Sequence, residues 1–261
     1  MTETPHTPAL PEHERSTGAR PLGTATEQAA ASNVQQMFDT IAPRYDLLNH
    51  VLSVGLDLWW WSRASRAFRA TLNRPDAVVL DLCCGTGDMT LALLKHRPEI
   101  PDTAPILAVD FSHNMLRRGA QKFAPHNILP IEADALHLPL ADNSVDLITS
   151  AFGFRNLANY EEGLAELHRI LRPGGQIGIL DCNQPSGLTG AAYSLYFKKI
   201  LPQLGGLISG DAGAYSYLPA SVERFPRPPR MKQLITAAGF TNARWTSYTF
   251  GTAGLYQATK P

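Results

Sequence analysis

Val78-Val79-Leu80-Asp81-Leu82-Cys83-Cys84-Gly85-Thr86-Gly87-Asp88 opens with β-branched and aliphatic residues, which read as a buried strand. An acid occupies its fourth position. A turn of small residues, Gly85-Thr86-Gly87, follows, and then the apolar residues Met89, Leu91, Ala92, Leu93 and Leu94 of a helix. Strand, glycine turn and helix form the layout of a nucleotide-binding α/β unit. The glycines let backbone approach a ligand with no Cβ in the way. A dinucleotide fingerprint needs a third glycine where this chain has Thr90, and Asp88 after the turn would repel a pyrophosphate. A cationic or zwitterionic ligand suits the stretch better. A tight turn with no ligand is the alternative.

The same rhythm continues downstream. Ile106-Leu107-Ala108-Val109-Asp110 reads as a second strand ending in an acid, and Phe111 to Leu116 opens the next helix. Asp110 lies about 20 residues beyond the glycine turn, where an acid at the end of the second strand clasps ribose hydroxyls. Ile128 to Ile131, Val145 to Ser150 and Gln176 to Asp181 are expected as the third, fourth and fifth strands. Glu161 to Leu171 reads as a helix stopped by Arg172-Pro173-Gly174-Gly175. Met231 to Ala238 is a helix ended by Gly239. Trp245 to Phe250 and Leu255 to Ala258 are the closing strands.

Upstream, Met1 to Ala31 is rich in Pro, Thr, Glu and Ala and is expected to be a disordered leader, with order beginning near Ser32. Residues 32–261 are expected as one domain, with 32–75 as a helical lid and 187–230 as a helical cover. Val34, Met37, Phe38 and Ile41 share a helix face. Ala42 to Asn49 is either a lid over the site or a connector between helices. Asp57 to Leu72 reads as one helix with Trp60, Ala64, Ala67, Phe68 and Leu72 on one face. Trp59, Trp60 and Trp61 cannot share one buried stripe, since successive residues are about 100° apart. Trp59 beside Arg63, Arg66 and Arg69 suits a membrane interface, or else packs under a neighbouring loop. Gly187 to Gly210 is apolar and aromatic but too interrupted to span a bilayer.

With 261 residues, 44% hydrophobic and 18% charged, the chain suits one large soluble core. Zero formal net charge gives no general attraction to nucleic acid, and none is expected as a partner. The three cysteines, Cys83, Cys84 and Cys182, form no C-x-x-C pair, so buried thiols in a reducing compartment are expected, without a metal site. No apolar segment has the form of a signal peptide.

Five motifs converge on one resemblance. They are Phe38-Asp39-x-Ile41-Ala42-x-Arg44-Tyr45-Asp46, Leu80-Asp81-Leu82-x-x-Gly85-Thr86-Gly87-Asp88, Phe152-Gly153-x-Arg155-Asn156, Leu171-x-Pro173-Gly174-Gly175, and Tyr215-x-Tyr217-Leu218-Pro219-x-Ser221-Val222-x-x-Phe225-Pro226. From Val34 to Lys260 the chain resembles the ubiquinone/menaquinone biosynthesis C-methyltransferases. The resemblance implies an α/β fold of the class I S-adenosylmethionine-dependent methyltransferase type: a Rossmann-like, seven-stranded, mostly parallel sheet with helices on both faces. N-terminal helices and a helical insertion would cover the substrate. The chain departs from the family at Ala151, where serine is frequent, at Asp181-Cys182 in place of Glu-Phe, and at Arg227-Pro228-Pro229-Arg230.

The resemblance further implies S-adenosyl-L-methionine as cofactor and a prenylated quinol as methyl acceptor. Asp81, Gly85, Thr86, Gly87, Asp110, Phe111, Asp134, Ala135 and Ala151 are the implied cofactor residues. Asp134 would meet the adenine amino group and the Ala135 backbone a ring nitrogen. Arg155 and Asn156 would orient the quinolate oxygen, with Asp88 in a water network and Tyr45 on the lid; Arg155 as a loop salt bridge is the alternative. The expected reaction is C-methylation of demethylmenaquinol; methylation of a benzoquinol in ubiquinone synthesis and a non-catalytic cofactor-binding partner protein remain open. Thr90 disfavours a nicotinamide oxidoreductase, and no basic face points to RNA or protein methylation. The expected location is the cytoplasm, with transient docking on the inner face of the cell membrane and homodimerisation both left open.

Overall fold

The apolar runs form the strands, and alternation along each run decides which layer every side chain enters. In the computed structural model, residues 18–21, 23–44, 50, 53, 55–185 and 212–261 are described. Seven strands form one sheet: β1 (Val79–Leu82), β2 (Ile106–Asp110), β3 (Ile128–Glu132), β4 (Val145–Ala151), β5 (Leu171–Cys182), β6 (Thr241–Tyr248) and β7 (Ala253–Thr259). Their spatial order is β3-β2-β1-β4-β5-β7-β6. β1 to β5 pair in parallel, while β7 runs antiparallel to both of its neighbours. Strand order reverses between β1 and β4, and ligands of open α/β sheets bind outside the strand ends at such a point.

Helices cover both faces. Leu80, Ile148, Ile177 and Ile179 pack with Leu164 and Leu167 of α6 (Tyr160–Ile170) and Leu234 and Ile235 of α8 (Pro228–Ala237). Val79, Ile106, Leu147 and Leu180 face the other way. They pack with Trp60 and Ala64 of α2 (Leu56–Arg66), Leu72 of α3 (Arg69–Leu72), and Met89 and Leu93 of α4 (Asp88–Leu94). Burial on both faces explains why β1, β2 and β4 read as apolar runs rather than alternating strands. α5 (His113–Phe123) packs beside β3, and Ser112 caps it by accepting from the Met115 N–H at 3.2 Å.

The structure moves several expected boundaries. The first helix, α1 (Glu27–Ile41), starts before Ser32, because Thr26 Oγ1 accepts from the Ala29 N–H at 3.1 Å. Before α1, the Ala19 N–H donates to the Leu157 carbonyl at 2.8 Å and Arg20 pairs with Glu27 at 3.2 Å. Order therefore extends upstream of the expected leader boundary at Ala31. The single helix expected over Asp57–Leu72 breaks at Ala67–Phe68, and Ala67 is exposed rather than on the core face. Trp60 and Trp61 are both buried while Trp59 is exposed, because only the first faces away from the core. The turn expected at Arg172–Gly175 is absorbed into β5 through a register shift between Val145 and Leu147, with Gly174 at φ +80°. β6 begins at Thr241, ahead of the expected Trp245. Tyr45 and most of the lid segment, together with residues 187–210 of the expected cover, lie outside the described residues. The end of that cover is described as α7 (Ala212–Arg224), with Pro219 inside the helix.

Candidate active site

The reversal of strand order opens a pocket over the ends of β1, β2 and β4. Leu82, Cys83 and Gly85 line it from β1 and its turn, and Val109, Asp110 and Phe111 from β2. Ala133, Asp134, Ala135 and Leu136 follow β3; Phe152, Gly153 and Asn156 follow β4; Ala31 and Phe38 of α1 form the roof. The exits of β1 and β4 nearly touch, since a Cβ on Gly153 would fall 2.3 Å from the Cys83 Cβ. Gly87 has a different role. At φ +93°, its absent Cβ makes room for the Phe123 ring, which such an atom would meet at 2.1 Å.

Asp110 holds the turn together. Its Oδ2 accepts from the Gly85 N–H at 2.8 Å and its Oδ1 from the Ser112 N–H at 2.9 Å. Burial pushes its carboxyl up to about 6 despite these donors. Asp134, more exposed, accepts from the Leu136 N–H at 3.0 Å. The roof is tied to the same place: Gln35 Nε2 donates to the Phe111 carbonyl at 2.7 Å, and the Phe38 and Phe111 rings meet edge to face at 6.5 Å.

Among the described lining residues Asp110 and Asp134 are the carboxyl groups, and none is Lys or Arg. A pyrophosphate would meet no cation among them. A positively charged ligand with a diol and a flat apolar ring finds acceptors at Asp110 and apolar walls at Val109, Phe111, Ala133 and Leu136. The residues present thus fit S-adenosylmethionine.

Gly85, Asp110, Phe111, Asp134, Ala135 and Asn156 are brought together in the lining, and the other expected site residues that are described are not. Asp81 faces the α4 layer, opposite to its neighbour Leu82. It accepts from Thr90 Oγ1 at 2.7 Å and Thr149 Oγ1 at 3.0 Å, and burial raises its carboxyl to about 7. Thr90, read in the sequence as a missing glycine, thus anchors α4 to β1. Asp88 pairs with Lys122 of α5 at 2.8 Å, and Thr86 Oγ1 accepts from the same ammonium at 3.2 Å. Ala151 packs with the apolar cluster around Trp60 and Leu255. Tyr45 is outside the described residues.

Arg155 is anchored below the rim. Its backbone N–H and Nη1 donate to Oδ2 and Oδ1 of Asp181 at 3.1 and 2.8 Å, and Nη1 also donates to the Phe152 carbonyl. The Asp181 carboxyl is raised by burial and opposed by the guanidinium. The sequence marks Asp181 as a departure from the family but gives no sign of this pairing. Asn156 is bound from the cover, with Tyr217 donating its hydroxyl to Asn156 Oδ1 at 3.1 Å. That bond uses the Asn156 carbonyl oxygen, and its NH2 is a donor. Of the roof residues, Phe38 is visible in the sequence as part of a helix face, with no sign that the face closes a pocket, whereas Ala31 falls within the expected leader.

The pattern that defines the ubiE/COQ5 methyltransferase family matches residues 25–260. The demethylmenaquinone methyltransferase of Deinococcus radiodurans is 45% identical over 92% of this chain and 97% of its own length. That of Thermus thermophilus is 45% identical over 86% of this chain and 100% of its own. A ubiquinone/menaquinone biosynthesis C-methyltransferase of Geotalea daltonii is 39% identical, covering 87% and 96%. Among solved structures, a SAM-dependent methyltransferase from Thermotoga maritima has TM-score 0.61 at 16% identity, covering 87% of this chain and 100% of its own. The [4+2]-cyclase SpnF has TM-score 0.62 at 17% identity, covering 94% and 99%. With its seven-stranded sheet and its pocket at the reversal of strand order, this chain belongs to the ubiE/COQ5 methyltransferase family and has the class I S-adenosylmethionine-dependent methyltransferase fold.

Proposed function

We propose that the protein transfers a methyl group from S-adenosylmethionine to a ring carbon of a prenylated quinol, converting demethylmenaquinol to menaquinol. The observation that carries the substrate is the likeness to demethylmenaquinone methyltransferases at 45% identity over nearly the whole chain. The cofactor, when bound, supplies an electrophilic methyl on a sulfonium. Asp110, its geometry fixed by Gly85 and Ser112, would accept from the ribose hydroxyls. Asp134 and the backbone of Ala135 would hold the adenine, with Phe111 and Leu136 as apolar walls. Asn156 turns its NH2 towards the acceptor oxygen. Arg155, held by Asp181, contributes a fixed positive charge beneath the rim and is not a base, since a guanidinium stays protonated. Asp88 is withdrawn from the reaction by its pairing with Lys122.

The acceptor's prenyl tail stays in the bilayer, so the protein must reach a lipid surface. Among the described residues no helix is long and apolar enough to cross a membrane. Trp59 and Leu58 on α2, and Phe250 after β6, are exposed apolar side chains at one edge, with Arg63 stacked 5.4 Å over Trp59. Transient docking of this edge on the inner membrane surface fits that arrangement. The test is mass-spectrometric measurement of quinones in cells lacking the protein. Demethylmenaquinone is expected to accumulate and menaquinone to disappear. Accumulation of an unmethylated benzoquinone would instead select the ubiquinone pathway, and unchanged quinones would remove the reading.

A further inference from the structure

Carbon methylation of a quinol requires a group that removes a hydroxyl proton, and among the described residues the pocket lining supplies no carboxyl group beyond the two assigned above to the cofactor. Asp88 is paired with Lys122, Asp81 lies in the core and Asp181 is held by Arg155. One pair outside the lining has the needed chemistry. His50 Nδ1 lies 2.5 Å from Asp57 Oδ2, and Asp57 is only 2% exposed. The other Asp57 oxygen accepts from the Leu58 N–H at 2.9 Å. A carboxylate only accepts, so Nδ1 is the nitrogen that donates to Asp57, and in the neutral ring Nε2 is then the acceptor.

The course of α2 and α3 places this pair at the reactive edge. Thr71 Oγ1 donates to Gln176 Oε1 at 2.9 Å midway along β5, and the Phe68 ring fills the space beside Gly178 further along. Trp60 lies against Phe152, just past the end of β4, at 5.6 Å between centroids. The helical segment therefore runs antiparallel to β5, with its N-terminal end at the pocket edge of the sheet. Asp57 is one turn further out than Trp60 and Trp61, and the His50 ring meets the Trp61 ring edge to face at 6.1 Å. Phe152 is itself part of the pocket wall. The other described histidines are elsewhere: His137 joins Asp134 and Glu162 near the adenine end, His113 pairs with Glu132, His168 packs on Phe240, and His96 and His126 flank strands at their opposite ends.

We propose that His50 is the proton acceptor of the reaction, with Asp57 as its positioning residue; this rests on the quinol reading above. The hydroxyl proton passes to His50 Nε2 and its electron pair stays on oxygen. The ring carbon then bonds to the methyl as the carbon–sulfur bond breaks, its electron pair remaining on sulfur. The proton on that ring carbon leaves to water, its bonding pair restores the aromatic ring, and His50 returns its proton to the oxygen. One proton is released for each methyl transferred.

The test uses the full chain with S-adenosylmethionine and a short-chain demethylquinol. His50→Gln is expected to lower kcat at least 100-fold at pH 7 with cofactor affinity within twofold of wild type. Asp57→Asn is expected to lower kcat about tenfold and move the acid limb of its pH profile to lower pH, because an amide stabilises an imidazolium less than a carboxylate does. A folded His50→Gln variant with wild-type kcat, or an unmoved limb in Asp57→Asn, overturns the dyad and leaves the methyltransferase reading standing. A wild type inert towards the quinol overturns both. Nitrogen NMR of the wild type, with the His50 ring assigned through its contact to Trp61, gives a readout that needs no variant. Unprotonated Nε2 with protonated Nδ1 is expected, and the opposite tautomer overturns the proposal.

Discussion

Asp110 and Asp181 are buried carboxylates on opposite sides of the point where strand order reverses, and they are satisfied in different ways. Asp110 is held by two backbone N–H groups, which leave its remaining lone pairs open to the pocket. Asp181 is held by a guanidinium, its own neighbour's N–H at Cys182 and the Arg155 backbone. Dipoles can hold an acid and leave it available to a ligand. A full counter-charge holds it more strongly but commits it to position its partner. On the proposed reading, the cofactor half of the site binds through its acid, whereas the acceptor half uses its acid to fix an arginine.

The largest effect is expected where the counter-charge is removed. Asp181→Ala leaves the Arg155 guanidinium buried without its carboxylate, and should cost about 3–5 kcal/mol in urea unfolding. Replacing both by leucine should recover much of that loss, because the expense lies in the orphaned charge. A loss below about 1 kcal/mol in the single variant would mean the pair is not the main anchor of the Phe152–Asn156 turn.

Asp81 sharpens the comparison from within the cofactor half, since the hydroxyls of Thr90 and Thr149 and the Thr90 backbone hold it rather than a guanidinium. Its folded-state carboxyl is raised to about 7, above the ordinary 3.8. The folded chain therefore holds that proton more tightly than the unfolded chain does. The resulting stabilisation is complete below about pH 4 and is lost as pH rises through about 7; Asp110, raised to about 6, acts in the same direction. From Asp81 alone, cofactor-free protein should lose about 2–4 kcal/mol between pH 4 and 7.5. Asp81→Asn can still accept from one threonine and donate to the other, and should flatten the slope. An equally steep slope in the variant would place its origin elsewhere.

Asp110→Ala tests the open acid directly. Cofactor affinity should fall by about 1.5–3 kcal/mol, the range for hydrogen bonds to a charged group. Calorimetry on the folded variant measures it, and unchanged affinity would remove Asp110 from the binding role.

These two halves were unequally legible. Strand, glycine turn and strand-end acid are local patterns, and they yielded β1, β2, Gly85 and Asp110, because that part of the pocket is built from backbone turns and one strand-end carboxylate. The acceptor half depends on contacts distant in sequence. Arg155 with Asp181, Asn156 with Tyr217, and Trp60 with Phe152 are brought together only by the fold. Asp81 and Asp88 show the limit even in the legible half. Both acids stand in the right motif, but strand alternation turns Asp81 into the helix layer and α5 offers Lys122 to Asp88. The α1 roof was readable as a helix face, whereas its start at Thr26 was hidden by a leader composition with few large apolar residues.

The smallest expected effect is at the outer edge of the acceptor half, where the bilayer would be met. Phe250 is 86% exposed and Leu58 60%, so neither contributes much to the core. Phe250 also has φ 56°, a left-handed backbone that a bulky residue rarely adopts, in a turn tied to α2 by the Trp60 Nε1 donation to Thr249 Oγ1 at 2.8 Å. Exposed apolar rings near Arg63 and Arg66 suit the headgroup region of an anionic surface, at about 1 kcal/mol for each basic residue. Arg63→Glu/Arg66→Glu should weaken co-sedimentation with anionic vesicles by roughly tenfold or more, given two such contributions. Phe250→Ser should weaken binding several-fold, with neutral vesicles bound poorly by every form. The Arg63 change also removes its stacking on Trp59 and Tyr248, so thermal melting must accompany the measurement. If folded variants bind as the wild type does and lipid charge makes no difference, this edge is not the docking surface, and the route of the prenylated ring to the pocket must run through another part of the cover.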